Sequence, residues 1–319
     1  MKNVLEKEFV GVDCHKDTIA CYCNGKFKEF KTNFKGFKKA LEWAGKDCNW
    51  AVEGAYSHGI MLSAFLLDSG CKVYEFNALA TAKARKALNV SGEKNDYGDA
   101  KVISMFAKHL KLQEVSLKTV ELKRKITARK LLVKQRTELT NSIKSSTYKT
   151  GLVLPFDNLN TQKAIKWLLN QDDLIIQSFA RVLKEINETI NKLEEEIKTE
   201  LPKQAEKLLE ITGISYLTAA TIYTELKGKK MTKAQLASYC AVSPVENSSG
   251  KTTNFRNNKR GNRILNSILY SISVQQSRFD EIGSQYFMKK LQEGKSRRHA
   301  RKCLSRQICN LIWKALFKD

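Results

Sequence analysis

Three short apolar runs within residues 9–31, the last two joined by an Asn-Gly pair, constrain this chain most. Phe9-Val10-Gly11-Val12-Asp13, Thr18-Ile19-Ala20-Cys21-Tyr22-Cys23 and Lys26-Phe27-Lys28-Glu29-Phe30-Lys31 read as strands, because their β-branched and aromatic residues are bounded by turn formers. Asn24-Gly25 favours a tight hairpin, since both central residues of such a turn need positive φ. The chain therefore starts antiparallel. Helical spacing follows in Phe34 to Lys46, then a strand in Trp50-Ala51-Val52-Glu53, a helix from about Ser57 to Asp68, a strand in Lys72 to Phe76, and helices beyond Ala78.

The resulting order, βββαβαβα, is that of a ribonuclease-H-like α/β fold, a mixed sheet with helices on its faces. From about residue 114 to 150 the pattern turns helical and basic, and Pro155 marks an interruption. Beyond it Phe179, Val182, Ile186, Ile190, Leu193 and Ile197 recur at three- and four-residue steps, beside Glu194-Glu195-Glu196. That spacing fits a helical hairpin or coiled-coil seam, within the chain or between subunits. Leu208 to Ser215, with Gly213 before the apolar helix starting near Thr218, reads as a helix-hairpin-helix whose turn amides can approach a phosphate. At 319 residues the chain exceeds the usual size of one domain. We expect three segments: 1–112 as an α/β domain, 113–204 as a helical connector and 205–319 as a mainly helical basic domain.

The net charge is +23, and it is segregated. Residues 101–150 hold 13 Lys/Arg against 3 Asp/Glu, and residues 251–319 hold 16 against 4. Segregation of this degree points to a polyanion surface, with nucleic acid favoured over a merely solvated face. A membrane surface is disfavoured, because neither basic segment has a long apolar opposite face. No apolar stretch approaches the roughly 18–20 residues of a membrane span, and Met1 to Glu8 lacks a signal core, so the cytoplasm or nucleoid is expected. Eight scattered cysteines without a Cys-x-x-Cys pair suggest reduced, buried thiols rather than a zinc site.

Four carboxylates stand at element ends. Asp13 closes the first strand, Glu53 closes the fourth, and Asp96 and Asp99 lie three apart on one face of a helix start. In a ribonuclease-H-like sheet the first and fourth strands are neighbours, so the four should converge. Such convergence is costly without cations, and oxygen-only ligands suit Mg2+ or Mn2+. Two ions roughly 3.5–4 Å apart activate a nucleophile and stabilise a leaving oxygen in phosphodiester chemistry. Singly, Asp13 reads as a strand-end turn residue and Asp96 as a helix cap. His15 and His58 are near in sequence, as packing neighbours, proton shuttles or phosphate contacts.

A second candidate is Ser243-Pro244-Val245-Glu246-Asn247-Ser248-Ser249-Gly250-Lys251, followed by Asn258-Lys259-Arg260-Gly261-Asn262-Arg263. By itself this reads as a polar loop entering a basic helix, where serines commonly cap or turn. For a serine nucleophile, Lys251, Lys259, Arg260 and Arg263 would supply the cationic surroundings that favour an alkoxide and hold a phosphate. Arg297 and Arg298 in the last basic segment are further candidates for binding nucleic acid.

Gly11-Val12-Asp13-Cys14-His15-Lys16, Glu53-Gly54, Lys94-Asn95-Asp96-Tyr97-Gly98-Asp99-Ala100, Ile211-Thr212-Gly213-Ile214, Ser248-Ser249-Gly250 and Lys259-Arg260-Gly261-Asn262 together resemble the IS110/IS1111 family of insertion-sequence transposases. The match runs in order along nearly the whole chain. The resemblance implies an N-terminal RuvC-like domain with an Asp-Glu-Asp-Asp metal site, here Asp13, Glu53, Asp96 and Asp99, joined by a coiled coil to a domain bearing a nucleophilic serine. That serine is Ser249, with Ser248 as the fallback. It also implies metal assistance from another subunit, hence a homo-oligomer, dimer or tetramer, and a structured noncoding RNA that pairs with donor and target DNA. Lys251 stands where a second glycine is common, and Asn266 where a basic residue is frequent. The competing readings are a junction endonuclease using metal-activated water and a non-catalytic nucleic-acid-binding protein.

Overall fold

The computed structural model describes residues 8–45, 47–76, 81–82, 84–85, 95–110, 112–227, 229, 231–249, 252–258 and 261–318. The chain forms two compact units, Met1–Lys123 with Lys227–Lys229, and Arg124–Leu226 with Lys230–Asp319.

In the first unit β1 (Phe9–Cys14), β2 (Thr18–Cys23), β3 (Lys26–Lys31), β4 (Asn49–Glu53), β5 (Val73–Phe76) and β6 (Gln113–Glu114) form one sheet in the order β3-β2-β1-β4-β5-β6. Asn24 and Gly25 turn the β2–β3 hairpin at φ 48° and 77°, as their identities require. β1 runs antiparallel to β2 and parallel to β4 with Val12 opposite Val52, so the first and fourth strands are neighbours as expected. Two-residue β6 was not anticipated; a pairing that short leaves no periodicity to read.

Pleating divides the sheet residues between two faces. Val10, Val12, Trp50 and Val52 enter the larger core, with Phe37 of α1 (Phe34–Ala44) and Leu62 and Leu66 of α2 (Ile60–Asp68). On the other face Ala51 and Phe76 pack with Ile103 and Ala107 of α3 (Asp96–Ala107). Gly11 permits that helix to come close: a Cβ there would lie 2.2 Å from the Ala100 carbonyl oxygen and 2.3 Å from the Ser104 nitrogen. Ser104 Oγ donates to the Phe9 carbonyl at 2.8 Å, fixing α3 along β1.

The second unit contains most of α4 (Leu117–Thr150), then α5 (Gln162–Leu169), α6 (Leu174–Thr199), α7 (Lys203–Glu206), a 3-10 turn (Lys207–Glu210), α8 (Tyr216–Leu226), α9 (Lys233–Tyr239), β7 (Pro244–Ser249), β8 (Thr252–Asn257), α10 (Arg263–Phe279), α11 (Glu281–Gln292) and α12 (Arg297–Phe317). Lys125 pairs with Glu196 at 2.8 Å and with Glu200, Arg129 with Glu194 at 2.6 Å, and Arg136 bonds Asn187 at 3.3 Å. Partner numbers fall as those of α4 rise, so α4 and α6 are antiparallel. Part of the basic charge of residues 101–150 is thereby engaged within the chain.

The seam of α6 departs from the expected one. Ile190 and Ile197 are buried, but Val182 is 51% exposed, while Ile176, Ala180 and Leu183 pack against Ile143, Leu159 and Leu168. Both stripes have helical spacing, and the position of Leu159 and α5 decides which one is covered. The helix, glycine turn, helix order near Gly213 is present, with φ 90° at Gly213, although the first helix is one α-turn continuing into the 3-10 turn. Gln276 Nε2 donates to the Thr212 carbonyl at 2.8 Å and ties this turn to α10.

The segment read as a polar loop is a strand. β7 and β8 form an antiparallel hairpin from Pro244↔Asn257 to Ser249↔Thr252. Asn247-Ser248-Ser249 has low strand propensity by itself, and pairing with Thr252–Asn257 overrides it. A two-residue connection with glycine first was the available signal. No described helix is long and apolar enough to cross a membrane.

Candidate metal centre and serine hairpin

Asp13 and Glu53 project on the α3 side of the sheet because each lies one residue beyond the Val12↔Val52 pair, whose side chains enter the opposite core. Asp96 and Asp99 reach the same neighbourhood from α3, whose N-cap is Asn95, accepting from the Gly98 amide at 2.6 Å. Asp96 is therefore the first helical residue rather than the cap.

Asp13, His15 and Asp96 offer ligand atoms all within 4.8 Å of one another. His15 Nε2 lies 3.2 Å from Asp13 Oδ2 and 3.2 Å from Asp96 Oδ1. Although both oxygens are close, His15 Nε2 is buried without a hydrogen-bonding geometry to either. Glu53 and Asp99 have other partners: Thr81 Oγ1 donates to Glu53 Oε2 at 2.6 Å, and Arg85 Nη1 donates to Asp99 Oδ2 at 2.8 Å. The second oxygen of Asp99, Oδ1, is buried and, among the described residues, unpartnered.

Burial holds the Glu53 carboxyl above its ordinary range against the Thr81 hydrogen bond, and the charges of Asp13 and Asp99 push it further in that direction. Glu53 thus senses both aspartates. The Cys14 thiol is pushed up to about 12 by burial and then by Asp13 and Glu53, and it packs in the larger core on the opposite face of the sheet. An orphaned Asp99 oxygen, an orphaned imidazole nitrogen and a Glu53 carboxyl raised by burial and by its acidic neighbours fit a hard divalent cation held by oxygen with one nitrogen. Thr81 and Arg85 were read only as part of a helix. His58 is exposed and is not brought into this cluster.

In the second unit Ser249 is the last paired residue of β7, opposite Thr252, and Ser248 pairs with Thr253. Gly250, Lys251, Lys259 and Arg260 lie outside the described residues. Arg263 is exposed at the start of α10, as are Arg297 and Arg298 at the start of α12.

The hairpin root is anchored by residues that charge counting missed. Asn262 Oδ1 caps α10, accepting from the amides of Ile264 and Leu265 at 2.9 and 3.0 Å, while its Nδ2 donates to Glu225 Oε2 at 2.6 Å. The Asn262 amide donates to the Tyr239 carbonyl at 2.6 Å. A Cβ on Gly261 would lie 2.5 Å from that of Ala241, so glycine lets the strand return close to α9. Asn266, which stands where a basic residue is frequent in the family the sequence resembles, donates to the Cys240 carbonyl at 3.0 Å.

Residues 10–147 match the transposase family model of the IS110 DEDD type, and residues 205–288 match the model described as transposase IS116/IS110/IS902 family. The chain belongs to the IS110 family of transposases. It is accordingly a DNA recombinase of the transposase class, and the matched segments contain the carboxylate cluster and the serine hairpin respectively. No curated protein matches this transposase.

Proposed function

We propose that this transposase breaks and rejoins DNA by attack of Ser249 on a phosphodiester, assisted by a ribonuclease-H-like, RuvC-like domain in which Asp13, Glu53, Asp96 and Asp99 hold Mg2+ or Mn2+. The observation that carries the reading is the grouping of Asp13, His15 and Asp96 with ligand atoms within 4.8 Å of one another, and it is supported by the charges of Asp13 and Asp99 acting on Glu53. Divalent cations bound there supply charge neutralisation and activation for phosphoryl transfer. His15, between Asp13 and Asp96, joins that set as a nitrogen ligand or positions both carboxylates.

In the transfer step Ser249 Oγ gives up its proton and forms a bond to phosphorus, and the bond from phosphorus to one strand oxygen breaks, that strand leaving as a hydroxyl after taking up a proton. The energy of the phosphodiester is kept in the serine ester, so the reverse attack by another strand hydroxyl rejoins DNA and releases the serine. A strand end suits this role because the backbone is ordered by pairing up to Ser249. Lys251, Lys259, Arg260 and Arg263 would stabilise the added charge. The domain division 1–112, 113–204 and 205–319, a homo-oligomer that brings a metal centre to the serine of another subunit, and a structured guide RNA complete the proposal.

Peptide mass spectrometry on a reaction trapped with nicked DNA tests it. A nucleotide remnant on Ser249, absent in Ser249→Ala, is the expected result. A remnant on Ser248 transfers the role to that residue, and hydrolysis with no adduct replaces the proposal with a metal-dependent junction endonuclease.

A further inference from the structure

A cavity of the second unit, about 1040 Å3, opens beside the root of the serine hairpin. Pro244 of β7 and Asn258, just after β8, form one wall, and one face of α12 forms another. Arg298, Lys302 and Arg306 recur on α12 at four-residue steps, so their side chains line the cavity together, with His299 beside them. Its lining, all of described residues, contains no Asp or Glu. Among the described residues no ion pair engages Arg298 or Arg306. Burial, and then the charge of Arg298, hold the Lys302 ammonium below its ordinary range.

Two tyrosines line the same cavity. Lys290 Nζ lies 5.3 Å from the centre of the Tyr286 ring and covers one of its faces, and Gln307 donates to its hydroxyl at 3.4 Å. Tyr270 is different: it is 49% exposed, on the α10 face that also carries Asn266, and among the described residues no ring or cation is stacked on it. An open aromatic face in the same cavity as a row of cations matches a nucleotide, whose base stacks and whose phosphates carry the negative charge. The volume is at the upper end of the roughly 300–1,000 Å3 of ligand clefts, ample for one nucleotide and its flanking phosphates.

We propose that this cavity binds an unstacked nucleotide of a single strand, its base on Tyr270 and its phosphates on Arg298, Lys302 and Arg306. The proposal rests on the nucleic-acid reading above and adds a holding point to it. Ser249 is five residues along β7 from Pro244, roughly 17 Å at about 3.3 Å per residue. A strand anchored here is therefore gripped a few nucleotides from the serine, which fixes its register before attack. Duplex DNA cannot offer a free base face, so the cavity selects melted or single-stranded segments.

The full chain is tested with fluorescent dT12, rU12 and a 12-base-pair duplex, and with the same single strands carrying 5-iodouracil. Tyr270→Ala, and separately Arg298→Gln with Arg306→Gln, should weaken single-strand binding roughly tenfold or more with unchanged melting temperature, while Tyr270→Phe binds like the wild type. Photocrosslinks should fall on Tyr270 or Tyr286. Tighter binding of dT12 assigns the cavity to the recombining strand, and tighter binding of rU12 to an RNA. Wild-type affinity in both variants, crosslinks confined to other segments, or a duplex that binds as tightly and with the same dependence on Tyr270 would overturn the proposal. Loss of the serine adduct in the wild type leaves the cavity assignment intact and overturns only the recombination chemistry, so the two failures are separable.

Discussion

His15 Nε2 lies 3.2 Å from Asp96 Oδ1, joining the end of β1 to the first turn of α3. Since the same nitrogen is 3.2 Å from Asp13, a cation drawn to either carboxylate meets the imidazole as well. His15→Ala is expected to weaken Mn2+ binding by about 10-fold or more, as loss of a ligand or of its support does. Titration calorimetry on the metal-free protein measures this, and unaltered affinity would place His15 outside the centre.

Asp99→Asn should keep the fold but remove recombination. Arg85 can still bond the amide oxygen, whereas the buried Oδ1 loses its charge toward a cation. Strand exchange is measured with magnesium as the sole metal; undiminished exchange would eliminate Asp99 as a ligand.

Glu53 gives the metal-free protein a definite pH dependence. Its carboxyl is raised above 4.5 chiefly by burial, with Asp13 and Asp99 adding to the rise and Thr81 and Arg85 opposing it. The folded state therefore favours the protonated form, so the contribution of Glu53 to stability is fully present below pH 4.5 and declines as pH rises through the raised value. In chelator at neutral pH, Glu53→Gln should melt higher than the wild type. Adding Mn2+ should raise the wild-type melting temperature and leave the variant nearly unchanged. A variant that melts lower in chelator at neutral pH would show that its hydrogen bonding outweighs the charge cost.

Gly11→Ala inserts a Cβ 2.2 Å from the Ala100 carbonyl oxygen, where only backbone is available to yield. The expected cost is about 1–3 kcal/mol, with α3 displaced from β1 and metal affinity reduced together. Thermal melts and metal titration on one preparation check this. A fully stable variant with intact metal binding would mean that α3 shifts without moving Asp96 and Asp99.

At the other end of the chain, Asn262→Ala removes the cap of α10 and the link to Glu225. Loss of the cap alone costs about 1 kcal/mol. Serine adduct yield should fall further than stability, because the hairpin root rests on the same residue, and an adduct yield equal to the wild type would separate the root from the chemistry. Salt dependence gives an independent check on the exposed arginines: reversing Arg297 and Arg298 should flatten the slope of log affinity against log salt by about 0.9 for each phosphate they neutralise in the wild type.

The sequence by itself determined the order of β1 to β5 and of the helices between them, and it named the carboxylates proposed as ligands. Alternation and the Asn24-Gly25 turn are local signals, and they located β1 to β5 to within a residue or two. The charge segregation was legible for the same reason, being a property of composition. What only the tertiary structure decided is everything that depends on residues meeting across distance. Thr81 and Arg85 became partners of Glu53 and Asp99 through packing that no spacing encodes. The seam of α6 was chosen by Leu159 and α5 from two stripes of equal periodicity. Asn247-Ser248-Ser249 became strand because β8 supplied its hydrogen-bond partners, and a pairing of this kind stabilises residues whose own preference is for turns. Local preference amounts to tenths of a kcal/mol per residue, so where a ladder or a buried neighbour is available the nonlocal term prevails.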